Sequence, residues 1–349
     1  MNADTRKLLD QGIAIPACPL VLDADRRFNE EKQRRLISYY SASGAGGLAI
    51  GVHTTQFAIR DPQHNLYEPV LRTAAEEMTR LDAGRENPFV RVGGICGQTE
   101  QAVREAGILK ELGFHAGLLS LGAMKGEAED DIVAHCRAVA EVIPVFGFFL
   151  QPSVGGCVLP YSFWRKFVEI ENVVAIKIAA FDRYQTIDVI RALAEAGRDD
   201  IALYTGNDDN IVMDLLTPYR FDVNGKSVER RFVGGLLGHW AVWTSKSVEI
   251  LKRCQAITAA NEPVPQEMLR LANEVTDCNA VLFDAANDFR GCIPALHEVL
   301  RRQGLIDQIG CLDPDERMSP GQAEEIDRLY RAYPHLSDDD FVQNWLSTE

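Results

Sequence analysis

The sequence predicts a (β/α)8 TIM barrel followed by a helical C-terminal extension. Three observations carry that prediction. Apolar, strand-like runs alternate with segments of helical period from the start of the chain to about residue 258. Eight such units fit within about 250 residues, the usual size of such a barrel. Beyond Asn261-Glu262-Pro263 the strand-like runs stop and only helical patterns remain. Residues 1–260 are therefore expected to form the barrel, with active-site groups at the C-terminal strand ends and following loops. Residues 261–349 are expected to form the extension.

Strands are expected at 13–21, 47–52, 89–96, 116–121, 145–151, 173–180, 201–205 and 231–237. The first run carries Pro16-Ala17-Cys18-Pro19-Leu20, where a doubly wound open sheet would place a glycine-rich turn into its first helix. That difference favours the barrel. Helices are expected at 30–40, 100–112, 128–141, 162–169 and 184–196, with the last barrel helix at 241–256. The extension reads as helices at 266–288, 293–303, 321–332 and 338–346. The last of these is charged and aromatic-tipped, and packs either on the barrel or on a neighbouring subunit.

Of the 349 residues, 46% are hydrophobic and 25% charged, as in ordinary globular proteins. A formal net charge of -15 argues against nucleic acid and anionic membrane surfaces as partners. No stretch approaches the ~20 apolar residues of a membrane span. Met1-Asn2-Ala3-Asp4 lacks a basic region leading into an apolar one, so a cytoplasmic location is expected. The eight cysteines form no CxxC pair, and the seven histidines form no HxxxH or HExxH pattern. No metal site is expected from such spacing.

Lys177 stands in the apolar run Val173-Val174-Ala175-Ile176-Lys177-Ile178-Ala179-Ala180. That run reads as a parallel strand covered on both faces. Burial disfavours the ammonium and lowers its pKa, leaving a neutral amine able to condense with a ketone or aldehyde. Alternation places Ala175 and Ala179 on the face of Lys177, leaving room beside it. The alternative is a lysine at a strand end whose head reaches water.

With Lys177 on the sixth strand, the chain resembles the dihydrodipicolinate synthase / N-acetylneuraminate lyase family of class I aldolases. Asn172-Val173-Val174-Ala175-Ile176-Lys177 is similar to the family's NVxGIK segment, which holds the Schiff-base lysine. Gln151-Pro152-Ser153-Val154-Gly155-Gly156 is similar to its YNxPxxTG turn, and Gly206-Asn207-Asp208-Asp209 to its GxDE/D turn. The resemblance spans the barrel and fits the extension. It implies an imine on Lys177 with no separate cofactor, a small-molecule carbonyl substrate, and a homo-oligomer, dimer or tetramer.

Several positions depart from the family pattern. Counting back from Pro152 puts Phe149 where the family has its acid/base tyrosine, and Val154 where the synthases carry a carboxylate-binding arginine. His53 replaces the proton-relaying threonine, while Thr54 keeps the hydroxyl that helps bind a carboxylate and Thr55 follows it. Leu121-Gly122-Ala123-Met124 supplies no relay tyrosine. These departures argue against dihydrodipicolinate synthesis itself. Lys177 and His53 are the expected catalytic residues. A histidine titrates near neutral pH, although it also often serves as a structural partner of a carbonyl. Thr54, Thr55, Phe149, Gln151, Gly206, Asn207, Asp208, Asp209 and Gly235 are the expected substrate-binding positions. The aspartates also suit helix capping, and Tyr204 is a further candidate proton carrier or a core residue. Gly234-Gly235-Leu236-Leu237-Gly238 offers backbone amides that suit a phosphate, or simply a tight turn.

The expected function is a Schiff-base-forming lyase, an aldolase or dehydratase, acting on a keto-acid or sugar-like carbonyl substrate. The alternative is a degenerate barrel that binds a metabolite or acts as an interaction or regulatory protein. The two differ in whether polar groups converge on Lys177.

Overall fold

The computed structural model describes residues 1–348. Helix α1 (Ala3–Gln11) comes first, capped by the Asn2 side chain, which accepts from Thr5 N at 2.8 Å. The repeating units follow: β1 (Ala14–Pro16), α2 (Glu30–Ala42), β2 (Gly47–Ile50), α3 (Tyr67–Asp82), β3 (Val90–Ile95), α4 (Thr99–Glu111) and β4 (Ala116–Leu119). Next are α5 (Glu129–Ala140), β5 (Val145–Leu150), α6 (Tyr161–Phe167), β6 (Val173–Ala179), α7 (Arg183–Ala196), β7 (Ala202–Thr205) and α8 (Ile211–Leu216). An antiparallel hairpin, β8 (Tyr219–Val223) and β9 (Lys226–Arg230), precedes the eighth barrel strand β10 (Phe232–Leu237) and α9 (Thr244–Ala260).

The eight strands pair in parallel in the order β1-β10-β7-β6-β5-β4-β3-β2. The Ala17–Ala49 bridge closes the ring, with Cys18 N donating to Ala49 O at 2.9 Å. Alternating residues sort into two cores. Ala175, Ala179, Phe146, Phe148 and Leu236 fill the barrel interior, and Leu9 of α1 joins them from the N-terminal end. Ile176, Ile178 and Phe149 face outward into the layer beneath the helices. That outer core is continuous with the extension, which contributes Leu271, Leu296 and Ile326.

The extension comprises α10 (Gln266–Leu282), α11 (Cys292–Arg302), α12 (Gln322–Ala332) and α13 (Asp339–Leu346). Helix α10 ends at Leu282, short of the expected 288. Its C-terminal segment turns through left-handed backbone at Asp284, Asp288 and Phe289, with φ of 54, 55 and 65°. The last barrel helix starts at Thr244 instead of 241, because His239–Ala241 form a separate short turn. Neither α1 nor the β8–β9 hairpin was expected. The hairpin strands alternate between exposed and half-buried residues, and lack the apolar run that marks a barrel strand.

Among the described residues, no helix is long and apolar enough to cross a membrane.

Candidate active site

Lys177 lies on β6, in register with Phe148 on β5 and Tyr204 on β7. Only 7% of the residue is exposed. Its Nζ sits 4.5 Å from the centre of the Phe148 ring. The aliphatic stem passes over Gly206, where an added Cβ would stand 2.4 Å from Lys177 Cε. Gly206 thus leaves room for the lysine stem on its way to the chamber at the C-terminal mouth of the barrel. His53, Thr54, Gln151 and Asp208 line the same chamber.

Asp208 is held from three sides. Its Oδ1 accepts from His239 N at 3.0 Å, its backbone N–H donates to Gly206 O at 3.1 Å, and its carbonyl accepts from Asn279 Nδ2 at 2.6 Å. Asn279 belongs to α10, so the extension helps to set the turn after β7. Burial pushes the Asp208 carboxyl up to about 7, against the His239 N–H and the Lys177 charge. Burial also pushes Lys177 down to about 8, against the pull of Asp208. The two groups titrate as a pair, sharing a proton near neutrality.

Burial, and then the Lys177 charge, push the His53 imidazole down to about 4. It is therefore neutral at ordinary pH. Its ring centre lies 5.9 Å from that of Phe57. The Thr54 hydroxyl donates to Ala17 O at 2.8 Å, leaving its lone pairs for a substrate donor. Gln151 Nε2 is buried without a partner, a donor available to a substrate oxygen.

Five expected substrate positions lie outside the chamber. Phe149 points outward and packs on Trp164 at 5.5 Å between ring centres. Phe148 faces Lys177 in its place, because strand alternation gives inward positions to Phe148 and Leu150, one residue out of step with the count from Pro152. Thr55 donates to Cys18 O at 2.7 Å and accepts from Gly51 N at 3.0 Å, holding the β2 turn. Asn207 accepts from Phe181 N at 3.0 Å and donates to Asp214 at 2.9 Å, so its amide is structural. Asp209 faces a neighbouring cavity instead of the chamber. At Gly235 an added Cβ would meet Trp240 at 2.6 Å, so this glycine makes room for a ring, and it is Gly238 that reaches the chamber. Tyr204 donates to Leu9 O at 2.8 Å, toward α1 at the opposite end of the barrel, which fits the core reading.

The rest of the chamber is apolar, and much of it was missed from sequence. Phe181 follows β6 with φ of 51°, and Phe283 and Phe289 arrive from the extension. Val154 occupies the position considered for an arginine, and Lys177 and His53 are the basic side chains on the chamber wall.

Fold and site together define a (β/α)8 barrel with a buried lysine at its mouth. The chain belongs to the dihydrodipicolinate synthetase family, whose model matches residues 12–218. It is 26% identical over 187 residues to a 4-hydroxy-tetrahydrodipicolinate synthase of Acaryochloris marina, covering 50% of this chain and 61% of that protein. It is 26% identical over 205 residues to an N-acetylneuraminate lyase of Citrobacter koseri, covering 58% and 64%. The match thus spans under two thirds of each of these relatives. The fold is similar to that of a dihydrodipicolinate synthase from Acinetobacter baumannii crystallised with pyruvate. That likeness has a TM-score of 0.72 at 19% identity, covering 92% of this chain and 98% of the other.

Proposed function

We propose that the protein is a Schiff-base-forming lyase, aldolase or dehydratase, acting through Lys177 on a keto-acid or sugar-like carbonyl compound. The observation that carries this reading is the buried Lys177–Asp208 pair at the barrel mouth. The lone pair of the neutral amine adds to the carbonyl carbon, and a proton passes from that nitrogen to the oxygen to give a neutral carbinolamine. Asp208 then protonates that hydroxyl, which leaves as water, and the nitrogen lone pair forms the C=N bond. The resulting iminium accepts the electron pair of a breaking C–C bond or of an adjacent C–H bond. Neutral His53 is the base available to remove the proton that starts either step. Gln151 Nε2 supplies a hydrogen bond to a substrate oxygen.

Convergence of four polar side chains on Lys177 favours this reading over a degenerate barrel. The chamber's lack of an arginine speaks against dihydrodipicolinate synthesis as the particular reaction. Family membership and the exposed Tyr184 and Ile187 on α7 support a homo-oligomer.

Borohydride reduction in the presence of 2-keto acids and aldehydes, read by mass spectrometry, tests the chemistry. A reduced adduct on Lys177, lost in a folded Lys177→Ala variant, is the expected result. No adduct across the panel on folded protein would leave the metabolite-binding reading in its place.

A further inference from the structure

The space around Lys177 is tight, a cavity of about 40 Å³ with room for a carbonyl head and little more. The remainder of a substrate must extend into one of two adjoining spaces. One is a vestibule of about 470 Å³ that shares His53, Val154 and Phe289 with the chamber. Asp288, Asp313, Asp315 and Glu316 line it, with Arg290 as the cationic side chain, so it disfavours anionic groups. The other is a side cavity of about 230 Å³ between the β6 and β7 turns and α10. It shares Phe181, Asp208, Phe283 and Phe289 with the chamber and therefore adjoins it.

The side cavity is built to hold an apolar group. Phe181 meets Phe283 and Phe289 at 6.4 and 5.7 Å between ring centres, both edge-on. The polar residues around it are only partly committed elsewhere, since Asp209 Oδ1 and Asn279 Oδ1 are buried without a partner. Thr276 donates to Asp209 O at 2.9 Å, and Asn279 Nδ2 donates to Asp208 O. Those two acceptors apart, the wall is mostly rings and methyl groups, from Phe181, Ala280, Phe283, Ala285 and Phe289. A cavity of about 150 Å³ with apolar walls suffices for a benzene ring.

We propose that this side cavity receives an aromatic or branched apolar group of the substrate whose carbonyl reaches Lys177. The substrate is then an aryl- or alkyl-bearing carbonyl compound and not a polyhydroxylated sugar. The proposal rests on the imine reading only for the placement of the carbonyl.

Pyruvate and phenylpyruvate are the probes, since they share a keto-acid head and differ by a phenyl group. The variant is Ala280→Phe, which fills the side cavity from an exposed position on α10 that does not itself line the chamber. Calorimetric binding to wild type, Ala280→Phe and Lys177→Ala is read beside borohydride trapping. Phenylpyruvate is expected to bind and trap about ten- to a hundredfold better than pyruvate, as burial of a ring would give. Ala280→Phe should erase that preference while leaving pyruvate trapping unchanged. Equal affinity for the two acids, or a preference that survives Ala280→Phe, overturns the side-cavity assignment even where both trap on Lys177. Conversely, a preference erased by Ala280→Phe and retained in Lys177→Ala upholds the side cavity. It does so even if nothing traps on wild type, in which case only the imine reading fails.

Discussion

Lys177 and Asp208 each have an ordinary pKa far from neutrality, and burial moves the two toward each other, to about 8 and about 7. The proposed imine formation needs a neutral amine and a proton donor together, and a buried pair sharing one proton supplies both in the minor form that carries the proton on Asp208. Below the pair's window Lys177 holds its proton and cannot attack. Above it Asp208 has none to give. The rate of imine formation should therefore be bell-shaped, with its maximum between pH about 7 and about 8. Asp208→Asn cannot donate to the leaving hydroxyl, and it also removes the negative charge that raises the Lys177 pKa. The variant should lose the alkaline fall, keep a low-pH limb displaced toward lower pH, and slow by about a hundredfold or more. Rapid-quench borohydride trapping across pH measures this. A bell retained at wild-type rate in Asp208→Asn would remove Asp208 from the mechanism.

The β7 turn shows how one element divides its residues between chemistry and support. Gly206 makes room for the lysine, Asp208 faces it, and Asn207 between them turns away to bond Asp214 and Phe181 N. Asp214 is fully buried and also accepts from Thr205 at 2.7 Å and Asn210 at 3.0 Å. Asn207→Ala should cost about 1–3 kcal/mol through these unmatched buried groups. Thermal unfolding should show this as a lower Tm, with pyruvate trapping on Lys177 preserved. Trapping abolished at unchanged Tm would instead place Asn207 on the substrate. The family resemblance marked this turn, and patterning located every barrel strand, because apolar runs and alternation are local properties. It did not separate Asn207 from Asp208, since which polar side chain meets solvent, substrate or core is set by neighbours far along the chain. Phe149 failed for a related reason: a count from Pro152 cannot tell which side of the pleat a residue takes, whereas the register with Lys177 does. Phe283 and Phe289 were out of reach, because nothing local reports that a helix in the extension ends over the barrel mouth.

At the scale of the whole molecule, the extension is part of the machine that holds the site. Asn279 and Thr276 of α10 bond the backbone of Asp208 and Asp209, and Phe283 and Phe289 close the chamber. The outer core runs without a break from barrel helices into α10, α11 and α12. At its far side, Asp338 joins four segments: it accepts from Tyr39 of α2 at 2.7 Å, Ser245 N of α9 at 3.0 Å and Gln303 Nε2 after α11 at 2.7 Å. Tyr39 in turn accepts from Thr244 N at 3.0 Å. Burial holds the Asp338 carboxyl above the usual range despite these donors. Asp338→Ala would strand two buried donors, Tyr39 Oη and Gln303 Nε2, and the half-buried Ser245 N, costing about 3 kcal/mol or more. If barrel and extension fold as one unit, scanning calorimetry should show one transition in both wild type and Asp338→Ala, displaced downward in the variant. Loss of the extension and of the site should then coincide. Two transitions, with imine trapping surviving the first, would mean that the barrel holds Asp208 and its chamber without help from α10.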